Sequence, residues 1–122
     1  MSYYTYIITN SSKSTLYVGM TNDVPSRILE HGLNAGNPKT FAGRYYCYFL
    51  LWYEEYKYVQ DAILREKQIK KWSRKKKLEL IKRTNPELRF LNEELGLYPF
   101  GDYADERNIE YSNRRRKEYD DE

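Results

Sequence analysis

Two short tyrosine-bearing segments near the N-terminus constrain the fold of this chain most strongly. Residues 3–8 and 15–20 alternate along their length and are rich in Tyr, Ile, Val and Thr, which is typical of strands. The polar stretch 9–14 between them has no apolar residue and predicts a turn. A hairpin folded symmetrically about this turn places Tyr6 directly opposite Tyr17, with both phenols on one side of the sheet. An aromatic pair that only stabilises the sheet is the alternative.

A short helix predicted after the hairpin carries two further polar side chains. The pair Asn22 and Asp23 supplies an N-cap, and Gly32 favours a stop at the C-terminal end. Arg27 and His31 are four residues apart, so they share a helix face. A guanidinium suits a phosphate because it presents a planar fork of donors to two oxygen atoms. A surface arginine and a solvated histidine at the helix end remain the alternative.

Residues 59–72 have helical periodicity and carry an unexpected carboxylate. The apolar stripe of this helix is formed by Val59, Ala62, Ile63 and Ile69. Glu66 falls on the same side as the stripe, and an inward carboxylate without a partner is costly, so it is normally paired or bound to a metal. A single carboxylate suits Mg²⁺, which keeps several waters and takes one or two protein oxygens. A salt bridge with a neighbouring lysine or arginine is the alternative.

Basic residues are concentrated in one part of the chain. Residues 65–83 hold ten Lys or Arg against two Glu, a net charge of +8 in a chain whose total is +3. This density indicates a surface for a polyanion, although a solvated charged face is the alternative. Residues 34–44 add a basic loop. We expect eight basic side chains to contact nucleic acid: Lys39, Arg44, Lys70, Lys71, Arg74, Lys75, Lys76 and Lys77.

Length and composition limit the remaining possibilities. The 122 residues predict one folded domain, over residues 1–95, followed by a charged, flexible tail over residues 96–122. Cys47 is the only cysteine, which excludes a disulfide or a cysteine-based zinc site within one chain. The chain shows neither a signal peptide nor an apolar run of membrane-spanning length, so we expect a cytoplasmic protein without membrane contact.

The order and spacing of these residues resemble the GIY-YIG nuclease superfamily. Residues 4–6 (Tyr-Thr-Tyr) correspond to the first tripeptide, of which only the tyrosine is retained, and residues 17–19 (Tyr-Val-Gly) match the second tripeptide well. Arg27, His31 and Glu66 then follow in the order of the family's site residues. The chain is most similar to the small stand-alone bacterial members, which resemble the nuclease domain of excision-repair endonucleases, and the resemblance covers residues 2–92.

This resemblance implies an α/β fold, with a small three-stranded, mainly antiparallel sheet flanked by helices. The expected strands cover residues 3–9, 15–20 and 46–55, the expected helices cover residues 23–31, 59–72 and 74–83, and a helical turn lies within residues 86–95.

The resemblance also implies a divalent-metal-dependent endonuclease that hydrolyses phosphodiester bonds in DNA, in repair or recombination. Glu66 would hold one Mg²⁺ or Mn²⁺ ion, and Arg27 would neutralise a phosphate oxygen. Tyr6 would act as general base on the attacking water, with Tyr17 orienting the water or phosphate and His31 assisting. A phenol with an ordinary pKa near ~10 is a poor base unless Arg27 and the metal lower that pKa.

A further site residue and two other functions stay open. Asn85 is the candidate for the asparagine that the family places after the glutamate helix. A catalytically silent module that only binds nucleic acid would keep the fold and the basic helices. A protein-interaction adaptor would use the aromatic surface and the charged tail to recruit a partner.

Overall fold

An antiparallel sheet of three strands forms the centre of the computed structural model, which describes residues 1–97. Strand β1 (Tyr3–Thr9) lies in the middle, between β2 (Leu16–Thr21) and β3 (Phe49–Tyr56). Both pairings are antiparallel. The α/β fold with a three-stranded antiparallel sheet is therefore confirmed.

Within residues 1–97, four helices and one 3₁₀ turn accompany this sheet. They are α1 (Val24–Leu33), α2 (Phe41–Arg44), α3 (Val59–Lys70), α4 (Arg74–Lys82) and the 3₁₀ turn Glu93–Leu95. Asp23 caps α1, since its carboxylate accepts the backbone N–H of Ser26 at 3.2 Å. Gly32 does not end α1 as predicted, because the helix continues to Leu33 and is capped by Asn34. No helix within residues 1–97 is long and apolar enough to cross a membrane.

The register of the β1–β2 hairpin differs from the predicted symmetric one. Tyr6 pairs with Gly19, and Tyr17 pairs with Ile8. Tyr6 and Tyr17 still share a face of the sheet, but they are diagonal neighbours rather than direct partners.

A shift of the hairpin connection by one residue along the chain is the reason for this difference in register. Strand pairing ends at Thr9 and Leu16, which leaves six residues in the connection. The side-chain oxygen of Asn10 accepts the backbone N–H groups of Ser14 at 2.9 Å and Thr15 at 3.3 Å. These bonds satisfy backbone donors within the loop, so the connection covers residues 10–15 rather than the predicted 9–14. The partner of each β1 residue therefore lies two positions further along β2 than in the symmetric fold.

The segment before β3 is also less regular than predicted. The third strand was expected to include residues 46–48, which lie outside β3. Residues 34–44 were expected to form a loop, and the short helix α2 occupies Phe41–Arg44 within it. Tyr46 has a backbone φ of 57°, which is incompatible with an extended strand. The third strand therefore begins only at Phe49.

Each face of the sheet is covered by its own apolar cluster. The face that carries Tyr6 packs against α1 and includes Ile8, Val24, Ile28, Leu29, Ala42, Cys47, Leu50 and Leu97. The opposite face packs against α3 and α4 and includes Ile7, Val18, Leu51, Trp52, Ile69, Leu80 and Ile81. Leu97 is buried, so the packed unit reaches at least this residue. Residues 98–122, most of the predicted tail, lie outside the described part of the chain.

Candidate active site

The aromatic ring of Tyr6 crosses directly over Gly19 on the neighbouring strand. A Cβ atom placed on Gly19 would lie 2.5 Å from Cζ of Tyr6 and closer still to its hydroxyl oxygen. Carbon atoms pack at about 3.5–4.0 Å, so any side chain at position 19 would displace the ring. Tyr6 is only 1% exposed, and its ring has little room to move. The glycine of the second tripeptide therefore fixes the position of the phenol.

Two side chains of α1 contact the phenol of Tyr6. The hydroxyl oxygen of Tyr6 lies 2.7 Å from Nε2 of His31, and the guanidinium of Arg27 also forms a hydrogen bond with the phenol. A guanidinium has only donors, so the phenol oxygen accepts from Arg27. The tautomer of His31 sets the direction of the second bond: with the ring proton on Nδ1, the phenol donates its own proton to Nε2. The helix spacing therefore brings Arg27 and His31 to one hydroxyl group, as predicted.

The pKa values of this pair favour a neutral phenol and a neutral imidazole. Burial, together with the positive charge of Arg27, lowers the pKa of His31 to about 4. Burial raises the pKa of Tyr6 above its ordinary value, and Tyr17 and Glu66 add to this increase, whereas the hydrogen bond and charge of Arg27 oppose it. Arg27 alone therefore does not bring the pKa of Tyr6 below its ordinary value, because burial has the larger effect.

Arg27 contacts an acidic residue of its own helix in addition to the phenol of Tyr6. Its guanidinium donates to Oε2 of Glu30 at 2.7 Å, and its side chain remains 42% exposed. Burial alone would lower the pKa of Arg27, but its interactions with Glu30 and Tyr6 raise the pKa above the ordinary value. Arg27 is therefore a permanent cation with one side open to a ligand. Glu30 was missed from sequence, although its spacing three residues after Arg27 is a usable signal.

Tyr17 forms the border of the site on the other side of His31. The ring centroids of Tyr17 and His31 are 5.5 Å apart in an edge-to-face arrangement. Phe41, which sequence reasoning did not select, stacks on Tyr17 with a centroid distance of 6.2 Å and an interplanar angle of 25°. Tyr6, Tyr17, Arg27 and His31 therefore form one contiguous group.

Glu66 belongs to a helix on the opposite face of the sheet. Ala62 and Ile69 of α3 are buried against that face, and Glu66 lies at the margin of their stripe with 22% of its side chain exposed. Its carboxylate lies 3.0 Å from the ammonium of Lys70, so the predicted alternative of a salt bridge is present. The same carboxylate is close enough to Tyr6 to raise the pKa of the phenol. Glu66 thus lies within electrostatic range of the site.

Among the described residues, one carboxylate could hold a metal ion, whereas a site with three or more protein ligands is absent. Residues 1–97 contain no group of three His, Cys, Asp or Glu side chains that could hold an ion. Mg²⁺ commonly takes one or two protein carboxylates and completes its shell with water and substrate oxygens. Glu66 offers such a ligand within electrostatic range of the phenol, provided that Lys70 exchanges for the ion.

The structure does not bring Asn85 to the site. Its side-chain nitrogen donates to the carbonyl groups of Leu51 at 3.1 Å and Arg89 at 2.8 Å, and its oxygen accepts the N–H of Arg89 at 3.0 Å. These bonds tie the segment after α4 to β3 on the face opposite Tyr6. Asn92 is also buried, and its side-chain oxygen accepts the backbone N–H of Leu50 in the same strand at 2.8 Å. The side chain of Asn85 therefore stabilises the packing of this segment against β3.

The predicted nucleic-acid-binding residues are mostly exposed, but four have partners within the chain. The guanidinium of Arg44 donates to the carbonyl of Pro38 at 3.1 Å. Lys77 is partly buried, while Lys39, Arg44, Lys70, Lys71, Arg74, Lys75 and Lys76 are exposed. Arg74 donates to backbone carbonyls of the hairpin loop, Lys70 pairs with Glu66, and Lys76 lies 4.4 Å above the ring of Trp72. These contacts leave part of the basic surface open to a polyanion.

Comparisons with known proteins identify chains similar to this one. The family model described as "GIY-YIG catalytic domain" matches residues 2–79. Two UPF0213 proteins of Staphylococcus aureus, from strain Mu3 and (as SAV0488) from strain Mu50, are 36% identical over 81 residues, covering 66% of this chain and 95% of each relative. The solution NMR structure of the UPF0213 protein BH0048 from Bacillus halodurans is similar with a TM-score of 0.46 and 26% identity, over 80% of this chain and 98% of that chain.

Proposed function

Since this chain belongs to the GIY-YIG family, we propose that it is a divalent-metal-dependent endonuclease that hydrolyses phosphodiester bonds in DNA, in repair or recombination. One observation supports this function above all others. The hydroxyl of Tyr6 lies between a cation, Arg27, and Nε2 of His31, with the carboxylate of Glu66 in electrostatic range. Nε2 is a proton acceptor in the tautomer that carries the ring proton on Nδ1. A group that accepts a proton beside a phosphate-binding cation is what hydrolysis of a phosphodiester requires.

Tyr6 and His31 act together as the general base in this mechanism. As the phenol oxygen takes a proton from the attacking water, the phenol passes its own proton to Nε2 of His31 over 2.7 Å. A free phenolate does not have to form, which removes the difficulty that burial raises the pKa of Tyr6. With a His31 pKa of about 4, protonating the imidazole at pH 7 costs roughly 4 kcal/mol. A bound phosphate lowers this cost because its negative charge stabilises the imidazolium.

Arg27 positions the phosphate for this attack. Its side chain is 42% exposed and already contacts the phenol that activates the water. One phosphate oxygen bound to the guanidinium would therefore lie close to the nucleophile. The same cation stabilises the negative charge that develops on the phosphoryl oxygens.

Glu66 would hold one Mg²⁺ or Mn²⁺ ion together with substrate and water oxygens. When bound, such an ion neutralises the phosphate and stabilises the leaving oxygen. Lys70 must leave the carboxylate before an ion can bind, since the two side chains are 3.0 Å apart. The Lys70 ammonium would then be free to contact a neighbouring phosphate.

The unusual first tripeptide leaves the position of Tyr6 intact. Tyr4, which stands where the family has glycine, lies in a regular strand and packs edge-to-face against Tyr53 at 6.2 Å. The hydroxyl of Thr5 donates to the carbonyl of Ala62 at 2.8 Å and so ties β1 to α3. Both substitutions are accommodated by packing on this chain, which favours an active enzyme over a silent binding module.

Cleavage of a panel of branched, single-stranded and duplex DNAs, with Mg²⁺, Mn²⁺ or EDTA, tests this function. The full chain should cut at least one DNA with a divalent ion and none in EDTA. Tyr6→Phe, which removes only the hydroxyl, and Arg27→Ala should each reduce the rate by about 100-fold or more. Tyr58→Phe removes a hydroxyl from an exposed tyrosine and serves as the matched control. Binding of DNA without any metal-dependent cutting would favour the silent module.

A further inference from the structure

A row of aromatic rings extends outward from the candidate site. The ring of Tyr17 contacts His31 on one side and stacks on Phe41 on the other. Phe41 in turn contacts Tyr45 with a centroid distance of 4.9 Å and an interplanar angle of 52°. Phe41 is 49% exposed and Tyr45 is 42% exposed. Adjoining exposed rings that continue a site indicate a binding surface rather than core packing.

The backbone that carries these two rings is held firmly in place. The hydroxyl of Thr40 accepts the N–H of Gly43 at 3.0 Å, and the N–H of Gly36 donates to the carbonyl of Gly43 at 2.8 Å. A Cβ atom on Gly43 would lie 2.7 Å from the carbonyl oxygen of Asn37 and 2.8 Å from that of Asn34. The loop is therefore packed around Gly43, and the rings of α2 are exposed in a fixed position. A preorganised surface loses less entropy when it binds a ligand.

Positive charge borders the aromatic row. A groove beside Phe41 and Tyr45 is lined by Ser14, Thr15, Leu16, Arg74 and Lys77. Both charged residues of this lining are cations. Arg44, at the end of α2, is also exposed. The groove therefore combines flat apolar rings with cations and suits an anion that carries aromatic groups.

We infer that this surface, formed by Phe41, Tyr45, Arg74 and Lys77, binds an unpaired strand of DNA. Its bases stack on the two rings, and its phosphates lie near the two cations. A paired duplex keeps its base faces within the stack, whereas unpaired bases can stack on protein aromatic rings. The inference rests on the proposed nuclease function, because the row leads through Tyr17 to the site and so makes an unpaired strand the substrate.

Binding in EDTA to three fluorescent probes tests this surface. The probes are an oligothymidylate, an abasic oligomer of equal length and charge, and a blunt duplex. The full chain with Glu66→Gln should bind the oligothymidylate about tenfold more tightly than the abasic oligomer, because stacking requires bases. Phe41→Ala and Tyr45→Ala should each reduce that preference by about fivefold or more, whereas Tyr45→Phe should keep it. Tyr58→Ala, an exposed tyrosine at the start of α3, is the control.

The outcomes separate this inference from the nuclease proposal. Equal binding of the oligothymidylate and the abasic oligomer, or an unchanged preference in correctly folded Phe41→Ala, overturns the aromatic surface without touching catalysis. Tighter binding of the duplex than of the oligothymidylate also overturns it, and tighter binding of an oligouridylate overturns the assignment to DNA. A preserved base preference in a wild-type chain that cuts no DNA supports the surface and refutes only the nuclease.

Discussion

The close approach of Tyr6 to Gly19 predicts that Gly19→Ala damages both stability and catalysis. The new methyl group would lie 2.5 Å from Cζ of Tyr6, and an ordinary carbon contact requires about 3.5 Å, so the ring must move by about 1 Å. The ring is buried and its hydroxyl binds His31, so this movement has no free space. We expect the free energy of unfolding to fall by about 1–3 kcal/mol, which is typical of overpacking. We expect cleavage to slow by about 100-fold, which is typical of a misplacement of about 1 Å.

Urea unfolding and single-turnover cleavage measure these two effects, and a second background isolates their cause. Tyr6→Leu keeps an apolar side chain next to the strand but removes the far end of the ring. In that background Gly19→Ala should be neutral or should stabilise the protein by about 0.5–1 kcal/mol, because alanine is favoured over glycine within a strand. The sign of the effect on stability therefore depends on the ring of Tyr6.

Two results would refute this reasoning. Equal destabilisation by Gly19→Ala in both backgrounds would locate the cost in the backbone of β2 rather than in the ring. Wild-type stability and a wild-type rate for Gly19→Ala alone would mean that the ring does not lie over the glycine.

Three further perturbations follow from the same contacts. His31 has a pKa of about 4 in the folded chain, whereas a histidine of the unfolded chain binds a proton near pH ~6.5. As pH falls from about 6.5 to about 4, the unfolded state therefore gains protons that the folded state does not bind. In urea unfolding the wild type should lose about 3 kcal/mol of stability relative to His31→Phe over this range. Asn85→Ala should cost about 1–3 kcal/mol in the same assay, because a buried carbonyl of Leu51 loses its donor, while cleavage per folded molecule stays near wild type. Lys70→Ala should lower the Mn²⁺ concentration for half-maximal cleavage by about two- to fivefold, because Glu66 is released from its ion pair.

Each of these perturbations has its own contrary result. Parallel pH profiles for wild type and His31→Phe would mean that the imidazole is not buried as a neutral group. A stable but inactive Asn85→Ala would mean that Asn85 contributes to cleavage and not only to the fold. An unchanged metal requirement in Lys70→Ala, or an equal change in the neighbouring Lys71→Ala, would remove the special role of the Glu66–Lys70 pair.

Features that depend on local periodicity and capping could be predicted from the sequence. Strand β1 covers Tyr3–Thr9 as expected, and helices α3 and α4 begin at Val59 and Arg74 as expected. The spacing of four between Arg27 and His31 was enough to predict that both lie on one helix face. Helical geometry fixes such relations within one element, whatever the rest of the chain does.

Features that depend on single hydrogen bonds and tertiary contacts were missed. The hairpin register depends on the side chain of Asn10, which holds the loop at residues 10–15 without changing the alternation of either strand. The short helix α2 depends on the packing of Gly43 against the carbonyl groups of Asn34 and Asn37. No apolar periodicity in the sequence therefore predicts this helix or the stacking of Phe41 on Tyr17. The direction of Asn85 likewise follows from its bonds to β3 and not from its spacing after Glu66.

Metal-dependent cleavage by the wild-type chain and by Glu66→Gln, at matched purity and under single-turnover conditions, tests the central claim most directly. Glutamine keeps the shape of the side chain and removes the anion that would hold the ion. We expect cleavage to fall by at least about 100-fold, while urea unfolding and DNA binding in EDTA stay close to wild type. Equal rates for the two proteins would contradict the proposed function, because the cutting would then not require the carboxylate of Glu66.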